Sequence, residues 1–86
     1  MNWHVDWLPT VEQILADTWM NAPDRVDVTR AADRIDNLLS KNPTAVGESR
    51  EGASRILICA PLAVYYNVIA DDNKVVIWDL WRWTGR

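Results

Sequence analysis

The sequence predicts an α+β fold of order β-α-α-β-β-β, a helical hairpin packed on one face of a four-stranded, largely antiparallel sheet. Three observations carry this expectation. Residues 3–7 alternate apolar and polar with a period of two. From residue 11 to residue 39 the apolar positions instead recur at helical spacing. Residues 55–83 then fall into three runs rich in Val, Ile, Tyr and Trp, split by short breaks.

Trp3, Val5 and Trp7 alternate with His4 and Asp6, as expected of a half-buried strand. Thr10, with Gln13 three residues later, fits a capping box, and Pro9 breaks the strand just before it. Val11, Ile14, Leu15 and Trp19 then predict a first helix from about Thr10 to Asn21, interrupted at Pro23-Asp24. The second helix carries the stripe Val28, Ala31, Ala32, Ile35, Leu38 and Leu39, with Arg30, Asp33, Arg34, Asp36 and Asn37 facing away. Lys41 suits its C-terminal dipole and Asn42-Pro43 ends it. The short link predicts an antiparallel helix pair.

Residues 43–54, with two glycines, a proline and mixed charges, read as a surface loop. Strands are expected at Arg55–Ala60, Leu62–Ile69 and Lys74–Trp83. Pro61 and the segment 70–73 separate them with hairpin-like spacing. The last run is apolar on both faces over Val75–Trp78, which places it inside the sheet. Helices on one face of such a sheet bury both stripes.

With 86 residues, the chain has room for a single domain, 1–86. A chain of this size buries only about 60–65% of its unfolded surface, so large apolar side chains matter. The composition supplies them, with 49% hydrophobic residues, six Trp and no Phe, too apolar for a disordered chain. A net charge of −3 argues against a broad grip on phosphate backbones. It leaves room for a local basic patch, since Arg50, Arg55, Arg82 and Arg86 gather in the C-terminal half.

One cysteine, Cys59, excludes an intrachain disulfide. The N-terminus lacks the basic and apolar regions of a signal peptide, and no run approaches the ~20 apolar residues of a membrane span. A cytoplasmic location without membrane attachment is expected.

Taken in order, these residues resemble the RelE/ParE family of toxins from type II toxin–antitoxin modules, the plasmid-stabilisation-like proteins. The resemblance rests on Trp3-x-Val5-x-Trp7-x-Pro9, on Trp19 before Ala22-Pro23-Asp24-Arg25, and on Ala31-Ala32-Asp33-Arg34-Ile35-Asp36 with Leu38-Leu39. It continues through Asn42-Pro43, Gly47-Glu48-Ser49-Arg50 and Pro61-Leu62-Ala63-Val64-Tyr65-Tyr66 to the acidic turn at Asp71-Asp72 and the Val-rich last strand. It implies a bacterial toxin held inactive by a cognate antitoxin. In the family, RelE-like members cleave messenger RNA in the ribosomal A site, while ParE-like members poison DNA gyrase by binding it.

Metal-independent RNA cleavage needs cations and donors placed around the phosphate. For that chemistry this chain offers Arg50, Arg55 and Arg82 as candidate catalytic residues. Ala63 stands nearest the position where RelE-like enzymes commonly carry an Arg, and Arg86 is reached without a His or Tyr in the tail. The expected role is therefore a toxin acting by gyrase-type protein binding, or one that has lost activity. A ribosome-dependent endoribonuclease and a non-enzymatic module binding a peptide by strand addition are the alternatives. For Arg55, a surface ion pair with Glu48 or Glu51 is the competing structural role.

Tyr65 and Tyr66 must point to opposite faces, one into the core and one outward. The outer tyrosine, with Trp81 and Trp83, forms the candidate partner-binding set, covered by an antitoxin or a second copy of the chain. Alternatively the two tryptophans cap the core beside Trp3 and Trp7. No cofactor and no metal is expected: His4 is the only histidine, and Cys59 in its apolar run reads as a buried, inert thiol.

Overall fold

A computed structural model describes residues 2–50 and 52–84. Its elements are β1 (His4–Trp7), α1 (Pro9–Asn21), α2 (Arg25–Lys41), β2 (Glu48–Ser49), β3 (Ser54–Cys59), β4 (Leu62–Ile69) and β5 (Lys74–Arg82). The strands form one mixed five-stranded sheet in the order β1-β5-β4-β3-β2. β1 runs parallel to β5, and the other neighbours are antiparallel. The expected β-α-α-β-β-β order holds, with β5 interior, and β2 is an addition inside the stretch read as a loop.

Helix α1 begins one residue earlier than its sequence signal. Leu8 is the N-cap and makes no side-chain cap, and Pro9 occupies the first turn, where its missing N–H costs no hydrogen bond. Thr10 therefore lies inside the helix rather than capping it, and Gln13 donates to Asp17 Oδ1 at 3.2 Å. At the other end, the Arg25 guanidinium donates to the carbonyls of Trp19 (3.1 Å) and Met20 (2.7 Å) and lies 4.7 Å from the Trp19 ring centroid. That contact satisfies orphan carbonyls and fixes the turn into α2.

The core lies between the helices and one sheet face. From α2 it takes Val28, Ala31, Ile35 and Leu39, with Ala32 and Leu38 half-buried at its margin. The sheet contributes Leu57 and Cys59 from β3, Leu62, Val64 and Tyr66 from β4, and Val75, Ile77 and Leu80 from β5. Alternation then sends the intervening strand residues to the opposite face, over which neither helix packs.

The segment before β3 folds inward. Pro43 is fully buried, a turn closes with the N–H groups of Ala45 and Val46 on the Asn42 carbonyl, and β2 pairs through Glu48–Ile56 and Ser49–Arg55. Gly47, at φ 70°, lies so close to β3 that a Cβ there would stand 2.5 Å from the Ile56 carbonyl oxygen. Only glycine fits this approach.

Candidate functional site: the uncovered sheet face

Register assigns the faces. Ala63 pairs with Trp81, Tyr65 with Asp79 and Ile56, Ile58 with Ala63, and Asn67 with Val76. Between Tyr65 and Tyr66 the β4–β5 register slips by one residue at Trp78. This bulge turns Trp78 and Asp79 to the same side, so Trp78, Asp79 and Trp81 all face away from the helices.

The result is an aromatic platform. Tyr65 stacks on Trp78 with ring centroids 4.9 Å apart and planes 7° apart, and Trp81 leans on the same tyrosine at 4.9 Å and 49°. Trp78 donates its indole N–H to Asn67 Oδ1 at 3.1 Å, which holds its plane over the sheet. Ile58 and Trp78 are each 40% exposed, and Ile69 38%. Exposed aliphatic and aromatic side chains around a stacked aromatic centre are a feature of binding surfaces. The charges on this face are few: Asp79 accepts from the Leu80 N–H at 2.8 Å, Lys74 pairs with Asp6 at 3.5 Å near the β1 edge, and Glu48, opposite Ile56 at the β2 edge, pairs with Arg50 at 3.6 Å. None of the strand residues facing this side is an arginine.

The sequence-predicted residues divide. Tyr65 and Trp81 lie on the platform, whereas Tyr66 is fully buried on the helix side. Trp83 follows the end of β5 and is tied by its N–H to the Pro61 carbonyl at 2.7 Å. Trp3 and Trp7 pack on the helix-side core, so Trp81 does not cap it beside them. Trp78 is the platform residue that sequence alternation misses, because the bulge reverses the parity of β5.

Arg82 is held apart from Arg55, whereas Arg50 lies beside the start of β3, its backbone N–H on the Ser54 carbonyl at 2.8 Å. Arg55 lies opposite Tyr66, and Arg82 opposite Leu62, so both have core-side parity. They are separated by two strand spacings and four residues along β4, roughly 16 Å by standard strand geometry. Arg82 Nη2 sits 2.7 Å from both carboxylate oxygens of Asp24, and this hydrogen bond holds the Asp24 carboxyl below its ordinary value. Arg50 pairs with Glu48 at 3.6 Å. Arg55 makes no carboxylate pair among the described residues; it bonds Ser49 Oγ at 3.0 Å, the Val46 carbonyl at 3.1 Å and the Tyr66 hydroxyl at 3.3 Å.

Cys59 is buried, and desolvation raises its thiol above the usual range although Arg34 beside it pulls the other way. Burial likewise raises the Tyr66 hydroxyl, against the opposing effect of Arg55. Among the described residues, no three His, Cys, Asp or Glu side chains are grouped to hold a metal ion. No described helix is long and apolar enough to cross a membrane.

No protein-family model matches the chain, and a search of curated proteins gives no match. Among solved structures, a chain of the toxin–antitoxin complex RelBE2 from Mycobacterium tuberculosis is similar at a TM-score of 0.77 and 19% identity. The match covers 95% of this chain and 99% of that one. Two helices on a five-stranded mixed sheet here follow the RelE-like α+β fold.

Proposed function

We propose that this chain is the toxin subunit of a type II toxin–antitoxin module, neutralised by a cognate antitoxin, and that it acts by binding a protein target through the uncovered sheet face. The end-to-end fold match to a chain of a toxin–antitoxin complex supports the toxin role. The observation that favours protein binding is the character of that face: Tyr65, Trp78 and Trp81 form an aromatic surface free of strand arginines. Aromatic anchors ringed by aliphatics are what protein interfaces enrich.

The placement of the cations weighs against a ribonuclease. Stabilising a cleaving phosphodiester needs cations converging on one phosphate. Here Arg82 is closed onto Asp24, and Arg55 is occupied by loop carbonyls and hydroxyls on the other side of the sheet.

Induced expression in a bacterial host tests the reading. Growth should slow, co-expression of the adjacent short reading frame should restore it, and purified protein should inhibit gyrase supercoiling. Cleavage of translated messenger RNA with normal supercoiling would transfer the assignment to the nuclease branch. Unchanged growth would remove the toxin role.

A further inference from the structure

A second surface lies at the far end of the molecule from the β2 loop, between α2 and the strand ends. A groove of about 560 Å³ opens there, within the range of about 300–1,000 Å³ typical of ligand pockets. Ala31, Pro61 and Trp83 give it apolar lining. Arg30 and Arg34, one helical turn apart on α2, stand along the same wall. Three arginines against two aspartates leave the lining cationic in a chain whose net charge is −3. Asp24 is already committed to Arg82, whereas neither Arg30 nor Arg34 is paired with a carboxylate among the described residues.

We infer that this groove binds a short acidic segment of a protein partner, an apolar side chain resting on Ala31 and Pro61 while flanking carboxylates meet Arg30 and Arg34. Charge complementarity selects the carboxylates, because the wall presents two guanidinium groups with free donors. The apolar lining selects a peptide over a nucleic acid, which has no aliphatic side chain to rest on Ala31 and Pro61. The site is separate from the aromatic face and stands whether or not the chain is toxic.

The test is a nuclear magnetic resonance titration of the whole chain with the capped hexapeptide Gly-Glu-Leu-Glu-Leu-Gly. Its glutamine counterpart and hexathymidylate serve as comparison probes. The acidic peptide should give saturable shifts at the amides of Ala31, Ala60 and Thr84, with a Kd of order 1 mM. Arg30→Gln should weaken binding roughly threefold, and Arg30→Gln with Arg34→Gln roughly tenfold, in line with exposed ion pairs. Arg34 also touches Cys59, so the Arg30→Gln variant alone keeps the test independent of folding at that contact. Equal binding of the glutamine peptide, tighter binding of hexathymidylate at the same amides, or no saturable shift up to about 5 mM peptide would each overturn the inference.

Discussion

Arg55 and Tyr66 face each other across β3 and β4, and the Arg55 Nε–H donates to the Tyr66 hydroxyl at 3.3 Å. The same hydroxyl lies 2.8 Å from the carbonyls of Pro43 and Val46, so the pair fastens the segment after α2 to the sheet. Two residues that the sequence offers to catalysis and to partner binding thus form a clasp inside the fold.

Tyr66→Phe should lower stability by about 1–3 kcal/mol, because it leaves the buried Pro43 carbonyl and the Arg55 Nε–H without their partner. At roughly 4–8 °C per kcal/mol for a domain of this size, thermal unfolding followed by circular dichroism would register it clearly. Arg55→Ala should destabilise in the same direction. An Arg55→Ala protein as stable as wild type would show that the guanidinium does not hold the loop.

Gly47→Ala should destabilise by more than about 1 kcal/mol, since a positive φ and close contact with the Ile56 carbonyl oppose any Cβ. Gly52, also at positive φ but with open space around its missing Cβ, serves as the control. Urea unfolding should rank Gly47→Ala well below Gly52→Ala. Equal midpoints would mean that the loop can retreat from β3 at little cost.

Cys59 should react slowly with iodoacetamide at neutral pH in the folded protein and rapidly once it is unfolded. Burial keeps the sulfur from the reagent, and desolvation disfavours the thiolate. Mass spectrometry of timed samples measures this. Native and unfolded rates within a factor of two would place the thiol at an open surface.

The Asp24–Arg82 pair ties the start of α2 to the end of β5 and gives a pH signature. The folded carboxyl titrates below its unfolded value, so the contribution is present above the unfolded value and is lost as pH falls through the folded one. The Tm difference between wild type and Asp24→Asn should therefore be full at neutral pH and shrink as pH falls below the ordinary carboxylate range of about 4. A difference independent of pH would exclude the carboxylate as its source.

Much of the fold is legible because its signals are strong and local. The α2 stripe repeats over three turns, and Val28, Ala31, Ile35 and Leu39 are all buried as it requires. The interior place of β5 follows from residues apolar on both faces. What escapes the sequence depends on tertiary context. Glu48 and Ser49 carry no strand signal of their own and pair only because Gly47 brings them against β3. Thr10 and Gln13 match a capping box, yet Pro9 starts the helix before them. Alternation separates Tyr65 from Tyr66 but does not say which is buried; Tyr66 goes inward because carbonyls at Pro43 and Val46 wait for its hydroxyl. The bulge at Trp78 is invisible without the register, and with it goes the third member of the platform. The two-strand separation of Arg55 from Arg82 escapes the sequence for the same reason: nearness to strand ends says nothing about which face or which end.

Trp81→Ala tests most directly whether the uncovered sheet face is the working surface of a toxin. Trp81 lies over Ala63 on the side away from the helices, so its truncation should leave the core and the thermal unfolding largely intact. Colony counts after induction, at matched levels of folded protein, should fall sharply for wild type and recover at least tenfold for Trp81→Ala. Equal killing by the two proteins would contradict the assignment of this face.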